Sequence, residues 1–427
     1  MSSRTFLALA VAALTTLTAF PPPAAALPVD VALARWDMAE ARALVQTMSQ
    51  GADRCAVEGM IANRENRLGT AARLLRPCLA ALERTNSPRA VEAFDTLLDT
   101  YRRRGEYTKQ YRLIARWLGA HADHKDPRKL ADLRAELGTA AVLRDLPRPK
   151  ATGSRTATVR SYLNVLGTRN VDLTVRGVTL PWMIDTGANY SVVSEGAAQR
   201  MKLTVRNAGY QVAGSTGHSV PTRIAAIDTL PIGGVLLQNL VALIVPDAAL
   251  YIRSPRGDYQ IEAILGFPAL AQLGRFRIDP DGTLAIDRSA PWLRSGATLY
   301  MNQWTPVAEM EIAGRRGLLS IDTGANRTTL YASYADRLVG RAHLSPRKRD
   351  TSLGLGGSFE GEVAVEPQLI VKAGAATVIE QDVTIALEGD KAAPILGNLG
   401  QSGLTVKGSY TFDFRSMRLL LGQEASD

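Results

Sequence analysis

Five consecutive residues, Asp-Thr-Gly-Ala-Asn, occur twice in this 427-residue chain, at 185–189 and again at 322–326. Each copy follows an apolar run ending in isoleucine, Pro181 to Ile184 in the first and Leu318 to Ile321 in the second. The two aspartates are 137 residues apart (322 − 185), the length of one small domain. The echo continues on both sides. Gly177 and Gly314 each stand eight residues before the aspartate, as a hairpin feeding the same strand requires. Helix-like segments follow, Glu195 to Met201 and Ser333 to Leu338, and then glycine-rich hairpins over Gly209 to Gly217 and Leu353 to Gly361. Ile264-Leu265-Gly266 pairs by pattern with Ile395-Leu396-Gly397, and each copy closes on an aromatic strand, Phe276 to Asp279 and Phe412 to Arg415. A duplicated β lobe, 151–292 and 293–427, accounts for the whole pattern and gives each lobe one equivalent carboxylate.

On these motifs residues 155–425 resemble the aspartic peptidases of the pepsin and retropepsin type. Each lobe is shorter than a typical pepsin lobe, so the likeness is to two retropepsin-like subunits fused in one chain. The resemblance implies a mainly-β, bilobal acid-protease-like fold with Asp185 and Asp322 at the bottom of a cleft as the catalytic pair. Thr186, Gly187, Ala188 and Thr323, Gly324, Ala325 would form the supporting loops, the threonines hydrogen-bonding across the lobe interface. The Ile-Leu-Gly runs would cross beneath those loops. Pepsin-like enzymes carry a flap tyrosine in one lobe, but Tyr210 sits too early for that role. Two flap-like hairpins are expected instead, with Gly214 and Gly217 on one and Gly354, Gly356 and Gly357 on the other; tight turns without gating would use the same glycines.

The chemistry asks for this residue set. Two carboxylates held ~3 Å apart cannot both ionise easily, so they share a proton. The ionised partner can take a proton from water while the protonated one polarises a peptide carbonyl, with no cofactor and no metal. Glycine after the Asp-Thr pair lets backbone approach a carboxylate that a Cβ would push away. Ala188 and Ala325 stand where many pepsins have a hydroxyl, and losing that hydrogen bond makes the pair less acidic. The implied activity is therefore endopeptidase cleavage with a mildly acidic to neutral optimum; a maximum below about pH 3 would contradict it. A second reading is a catalytically silent peptide-binding or scaffolding protein that kept the cleft or uses a helical array. Peptide cleavage by residues 151–427 alone would exclude the scaffold-only view.

The rest of the chain differs in kind. Residues 27–150 hold 6 glycines against 30 in 151–427, and residues such as Leu33, Trp36, Met38, Ala41, Leu44, Val45 and Met48 recur with helical spacing. Asn66 to Leu79 echoes Arg104 to Trp117, with Gly69 and Gly105 36 positions apart, which looks like a short tetratricopeptide-like array able to hold a peptide or partner protein. An ordinary helical bundle fits equally. Leu146 to Ser154, with two prolines, reads as the linker. Residues 1–26 have the layout of a secretory signal: Arg4, an apolar stretch from Phe6 to Phe20, and Ala24-Ala25-Ala26. An uncleaved anchor is the alternative. The mature chain is then exported, periplasmic or secreted, with no stable membrane span; the uncharged segment Thr229 to Pro246 contains Gly233-Gly234 and reads as a hairpin.

Cys55 and Cys78 lie eleven residues before and twelve after a turn at Asn66, so antiparallel helices bring them level. In an oxidising compartment they can form a disulfide; two buried free thiols are the alternative. His121 and His124 lack a third ligand and read as a polar helix end. Fifty basic and 41 acidic residues give a net charge of +9. Arg102-Arg103-Arg104 and Arg347-Lys348-Arg349 have no interleaved aromatic platform, so they read as solvated faces and nucleic-acid binding is not expected.

Overall fold

The structure, a computed structural model, describes residues 6–7, 27–121, 126–213, 219–254, 256–340, 344, 348–354 and 357–424. Apart from residues 6–7, the signal segment lies outside the described residues, as do His124, Arg347, Gly214, Gly217 and Gly356. The helices gather into one unit and the long strands into another, the chain passing from the first to the second at Arg148–Pro149. No helix among the described residues is long and apolar enough to cross a membrane.

Seven helices build the first unit: α1 Pro28–Ala34, α2 Met38–Thr47, α3 Ala52–Arg64, α4 Leu68–Arg84, α5 Arg89–Arg103, α6 Tyr107–Ala120 and α7 Pro127–Leu143. Their buried faces follow the apolar spacing, with Phe94 stacked on Trp117 at 4.1 Å between ring centres. The helical run read over Leu33 to Met48 breaks at Trp36, whose φ of 58° ends α1, while the Asp37 side chain caps α2 by accepting from the Glu40 amide. The internal echo has a different register from the one its glycines suggest. Asn66 and Gly105 are the equivalent residues, each with positive φ after a helix. Each is followed by an amide that reaches back across the helix end, Arg67 N to Ala62 O and Glu106 N to Tyr101 O. Gly69 lies inside α4.

The Arg102 to Arg104 cluster is not a solvated face. Arg103 is buried, its guanidinium donating to Asp99 Oδ2 at 3.1 Å and Asn66 Oδ1 at 2.6 Å, and Arg104 pairs with Glu106. Asp99 and Glu106 are local partners and Asn66 comes from the turn between α3 and α4; together they draw these cations inward. Arg349 of the other basic cluster is exposed. His121 caps α6 with its ring stacked on Trp117 at 3.9 Å.

Cys55 on α3 and Cys78 on α4 are disulfide-bonded, with Cα atoms 6.1 Å apart. A cross-link closing a loop of this length restricts the unfolded chain and stabilises by about 3 kcal/mol. Urea unfolding of the Cys55→Ser, Cys78→Ser double variant, followed by far-ultraviolet circular dichroism, is expected to show that loss in the helical transition. Unfolding midpoints that coincide with and without reductant would contradict it.

The β unit is twofold in plan. In the first half the hairpin Arg169–Val175 / Val178–Asp185 turns at Arg176-Gly177, where both residues have positive φ, and in the second Thr305–Ile312 / Arg315–Ile321 turns at Ala313-Gly314 in the same way. Each aspartate-bearing strand then takes a parallel partner, Ala263–Gly266 and Ile395–Leu399. Each parallel partner also pairs antiparallel with the short strand after the aspartate loop, Ser191–Ser194 or Thr329–Leu330. Long hairpins complete each half: Val205–Ala213 with Ser219–Ile232 and Val235–Val245, and Lys348–Gly354 with Gly357–Ala373 and Ala376–Ala386. Short helices sit at Glu195–Arg200 and, in the second half, at Ala332–Tyr334 running into a π-helical turn at Ala335–Val339. Lys150–Gly153, read as linker, is a strand paired with Val235 to Gln238; the edge it pairs with, not its own side-chain pattern, makes it one.

The halves are joined by a shared antiparallel sheet. Its centre is Arg275–Ile278 against Tyr410–Asp413, with Phe276 directly opposite Phe412 and their rings stacked at 5.1 Å. Outward lie Thr283–Asp287 and Thr156–Leu163 on one side, Arg418–Leu421 and Ala297–Asn302 on the other. The closing aromatic strands therefore sit on the pseudo-twofold axis, and the same axis relates the two aspartate loops.

Candidate active site

Both aspartates end a buried strand and begin a turn. Asp185 Oδ1 accepts from the amides of Gly187 (2.8 Å) and Ala188 (3.1 Å), and Asp322 Oδ1 accepts from the Gly324 amide at 2.8 Å. These amides are presented because the Asp-Thr-Gly turn folds back on its own carboxylate. The two loops then lock to each other. Thr186 Oγ1 accepts from the Thr323 amide (3.0 Å) and donates to Ile321 O (2.8 Å), while Thr323 Oγ1 accepts from the Thr186 amide (2.9 Å) and donates to Ile184 O (2.9 Å). Four hydrogen bonds thus cross between the lobes through two fully buried hydroxyls.

Each glycine meets the opposite lobe's acid. A Cβ on Gly187 would lie 2.6 Å from Asp322 Cγ, and one on Gly324 would lie 2.3 Å from Asp185 Cγ. Only a hydrogen atom fits there. Asp185 and Asp322 are 0% and 3% exposed and hydrogen-bond to one another. Burial and the Asp322 charge push Asp185 well above the ordinary carboxylate range; burial also raises Asp322, against the donors that face it.

The pair is not symmetric. Asp322 Oδ2 accepts from the buried Asn398 amide at 3.4 Å, whereas Asp185 Oδ2 has no donor among the described residues. The lobe 1 residue equivalent to Asn398 is Ile264. That equivalence corrects the motif register: Gly266 lies opposite Asp185, but Gly400, not Gly397, continues the pairing that sets Ile321 against Leu399. Phe267 N donates to Ala188 O as Gln401 N donates to Ala325 O, and Gly266 N and Gly400 N donate to Ser191 and Thr328 hydroxyls. The counterpart of Ile264-Leu265-Gly266 is therefore Asn398-Leu399-Gly400. The offset from the sequence pattern is three residues (400 − 397), and the bulge between Leu318 and Leu319, which skips Leu396, accounts for one of them. A sequence signal did exist, since Gly400 precedes the short helix Gln401–Leu404 as Gly266 precedes Phe267–Gln272.

The glycine-rich hairpins are less fully described. Tyr210 pairs with Thr222 inside the first hairpin, away from its tip, and Gly354 pairs with Gly357 at the end of the second. Among the described residues no cluster of three or more His, Cys, Asp or Glu side chains is placed to hold a metal ion.

Residues 171–269, spanning the first aspartate loop and the strand beneath it, match the model of a family described as aspartyl protease. Among solved structures, a retropepsin-like aspartic protease from Rickettsia conorii is similar at 19% identity, over 32% of this chain and 90% of that one, with a TM-score of 0.20. No curated protein matches the chain.

Proposed function

We propose that the β unit is an aspartic endopeptidase in which Asp185 and Asp322 activate a water molecule between them. The observation that carries this reading is the pair of buried carboxylates, hydrogen-bonded to each other and locked by the threonine cross-link. Asp322, with Asn398 on its outer oxygen, is the better place for the negative charge and acts as general base. Asp185, whose outer oxygen lacks any other donor, holds the proton and polarises the scissile carbonyl. The pair titrates as a unit, so these roles describe its singly protonated state. A tetrahedral intermediate forms when the water oxygen attacks; the amine then leaves carrying a proton returned through the pair. The extended peptide lies across the cleft as an added strand, its backbone supplying affinity.

The chain is exported in this proposal, and the Cys55–Cys78 disulfide supports an oxidising destination. The helical unit is assigned the contact with a protein partner or substrate. Incubating the full chain with a mixed peptide library between pH 4 and 7 tests the activity. Internal cleavages blocked by a statine-type inhibitor are expected; an intact library across that range removes the endopeptidase reading.

Activity needs one proton on the pair, so kcat/KM falls at low pH when the second proton adds and at high pH when the shared one leaves. Both acids are raised, which moves both limbs upward from the ordinary carboxylate range. Asn398→Ala removes a donor to the charged form of Asp322 and so raises the acid limb, by about half a unit to one unit for a hydrogen bond worth roughly 1 kcal/mol. An acid limb that stays put while kcat falls would make Asn398 a packing residue only.

A further inference from the structure

Three arginines among the described residues are more than nine-tenths buried. Arg89 is paired with Asp30 and Asp53, and Arg103 with Asp99. Arg169, at 6% exposure the most enclosed of the three, has neither a carboxylate nor any side-chain acceptor among the described residues, and its Nε is sealed from solvent without a partner. Its two terminal nitrogens are not sealed and make no hydrogen bond among the described residues, which leaves a cation with little water around it open to an anion.

Arg169 lines a cavity of about 330 Å³ between the lobes. The opposite wall is polar and uncharged: Asn326, Gln401, Ser402 and Thr405 of lobe 2, with no acidic residue in the lining. The cavity backs directly onto the second aspartate loop. Asn326 is the last residue of that motif and donates to Leu166 O at 3.0 Å, while Gln401 Nε2 donates to Thr323 O at 2.8 Å. A second guanidinium stands at the rim, where Arg256 Nη1 lies 3.5 Å from the Cβ position of Gly167, itself a lining residue. Arg256 makes no ion pair among the described residues either.

We propose that this cavity is a carboxylate-binding subsite in which Arg169 receives an acidic group of a bound peptide. It rests on the peptidase reading and deepens it by naming a substrate class: the hollow is lined by Asn326, the residue that ends the second aspartate motif. Arg169 supplies the planar fork a carboxylate matches, and the lobe 2 hydroxyls and amides supply neutral hydrogen bonds. The carboxylate comes from a Glu or Asp side chain or from a peptide C-terminus.

The full-length Asp322→Asn protein separates these sources without turnover. Thermal unfolding with the α-amides of N-acetylglutamate or N-acetylglutamine comes first: stabilisation by the one that carries a carboxylate but not by the one that carries none is expected, lost in Arg169→Met and partly kept in Arg169→Lys. Fluorescence anisotropy then compares labelled peptides carrying Glu or Gln at each position, and a free or amidated C-terminus. At one place the acid is expected to bind about tenfold or more tightly, falling below about twofold in Arg169→Met. A scan position identifies a side chain, and the terminal pair identifies the C-terminus. Equal loss for acid and amide peptides, or an unchanged preference in Arg169→Met, overturns the subsite. Acid-specific stabilisation with no peptide binding removes the cleft reading and leaves the subsite standing.

Discussion

Replacing Asp185 by Asn is expected to lower kcat about 10³-fold or more, because the shared proton and the group that polarises the carbonyl are lost together. Asp322→Asn should do the same by removing the general base. The informative part is that activity and stability move in opposite directions. Both acids have folded pKa values above their unfolded ones, so their favourable contribution is complete below the unfolded value and disappears as pH rises through the folded value. At neutral pH the wild-type pair holds desolvated charge with little return. Asp185→Asn should therefore melt no lower than wild type at pH 7, and its melting temperature should depend less on pH between about 4 and 7. A variant that is inactive and also markedly less stable at pH 7 would show that the carboxylates hold the loops together. A variant with undiminished cleavage would move the chemistry to other residues.

Gly324→Ala should be nearly as damaging, for a steric reason. Its Cβ would stand 2.3 Å from Asp185 Cγ and 2.5 Å from Oδ2, with the loop fixed on both sides by the threonine cross-link. Neither side can retreat without breaking buried hydrogen bonds, so a loss of about 3 kcal/mol together with the activity is expected. Gly119→Ala is the control: that glycine lies in a helix with nothing within 4 Å of its Cβ position, and alanine there should be neutral or stabilising by up to about 1 kcal/mol. Urea midpoints and initial cleavage rates for both variants give the comparison. Equal behaviour of the two would remove the close-approach argument.

Much of this architecture is written in local sequence. The repeated pentapeptide marks both turns because a carboxylate at the end of an apolar strand, followed by small residues, has few other ways to fold. Gly177 and Gly314 mark the hairpins because their positive φ values suit glycine. The difference in glycine content marks the passage from helices to strands. Errors arise where distant residues decide. Ile395-Leu396-Gly397 imitates the lobe 1 run, but strand pairing sets Asn398 and Leu399 opposite Ser320 and Ile321, so Asn398-Leu399-Gly400 takes its place. Arg103 looks solvent-facing until Asp99, Asn63 and Asn66 surround it.

The sequence by itself determined which groups carry the proposed chemistry, since a pair of acids in identical frames is a statement about residue types and spacing. Only the tertiary structure decided that the frames are unequal: Asn398 stands on Asp322 alone, 76 residues away in the chain, and Ile264 occupies the matching place in lobe 1. It also decided that Arg169 is closed off without a counter-ion. Proton affinity and charge burial depend on which atoms exclude water and which donate hydrogen bonds, and those neighbours are brought together by strand register and lobe pairing rather than by adjacency in sequence.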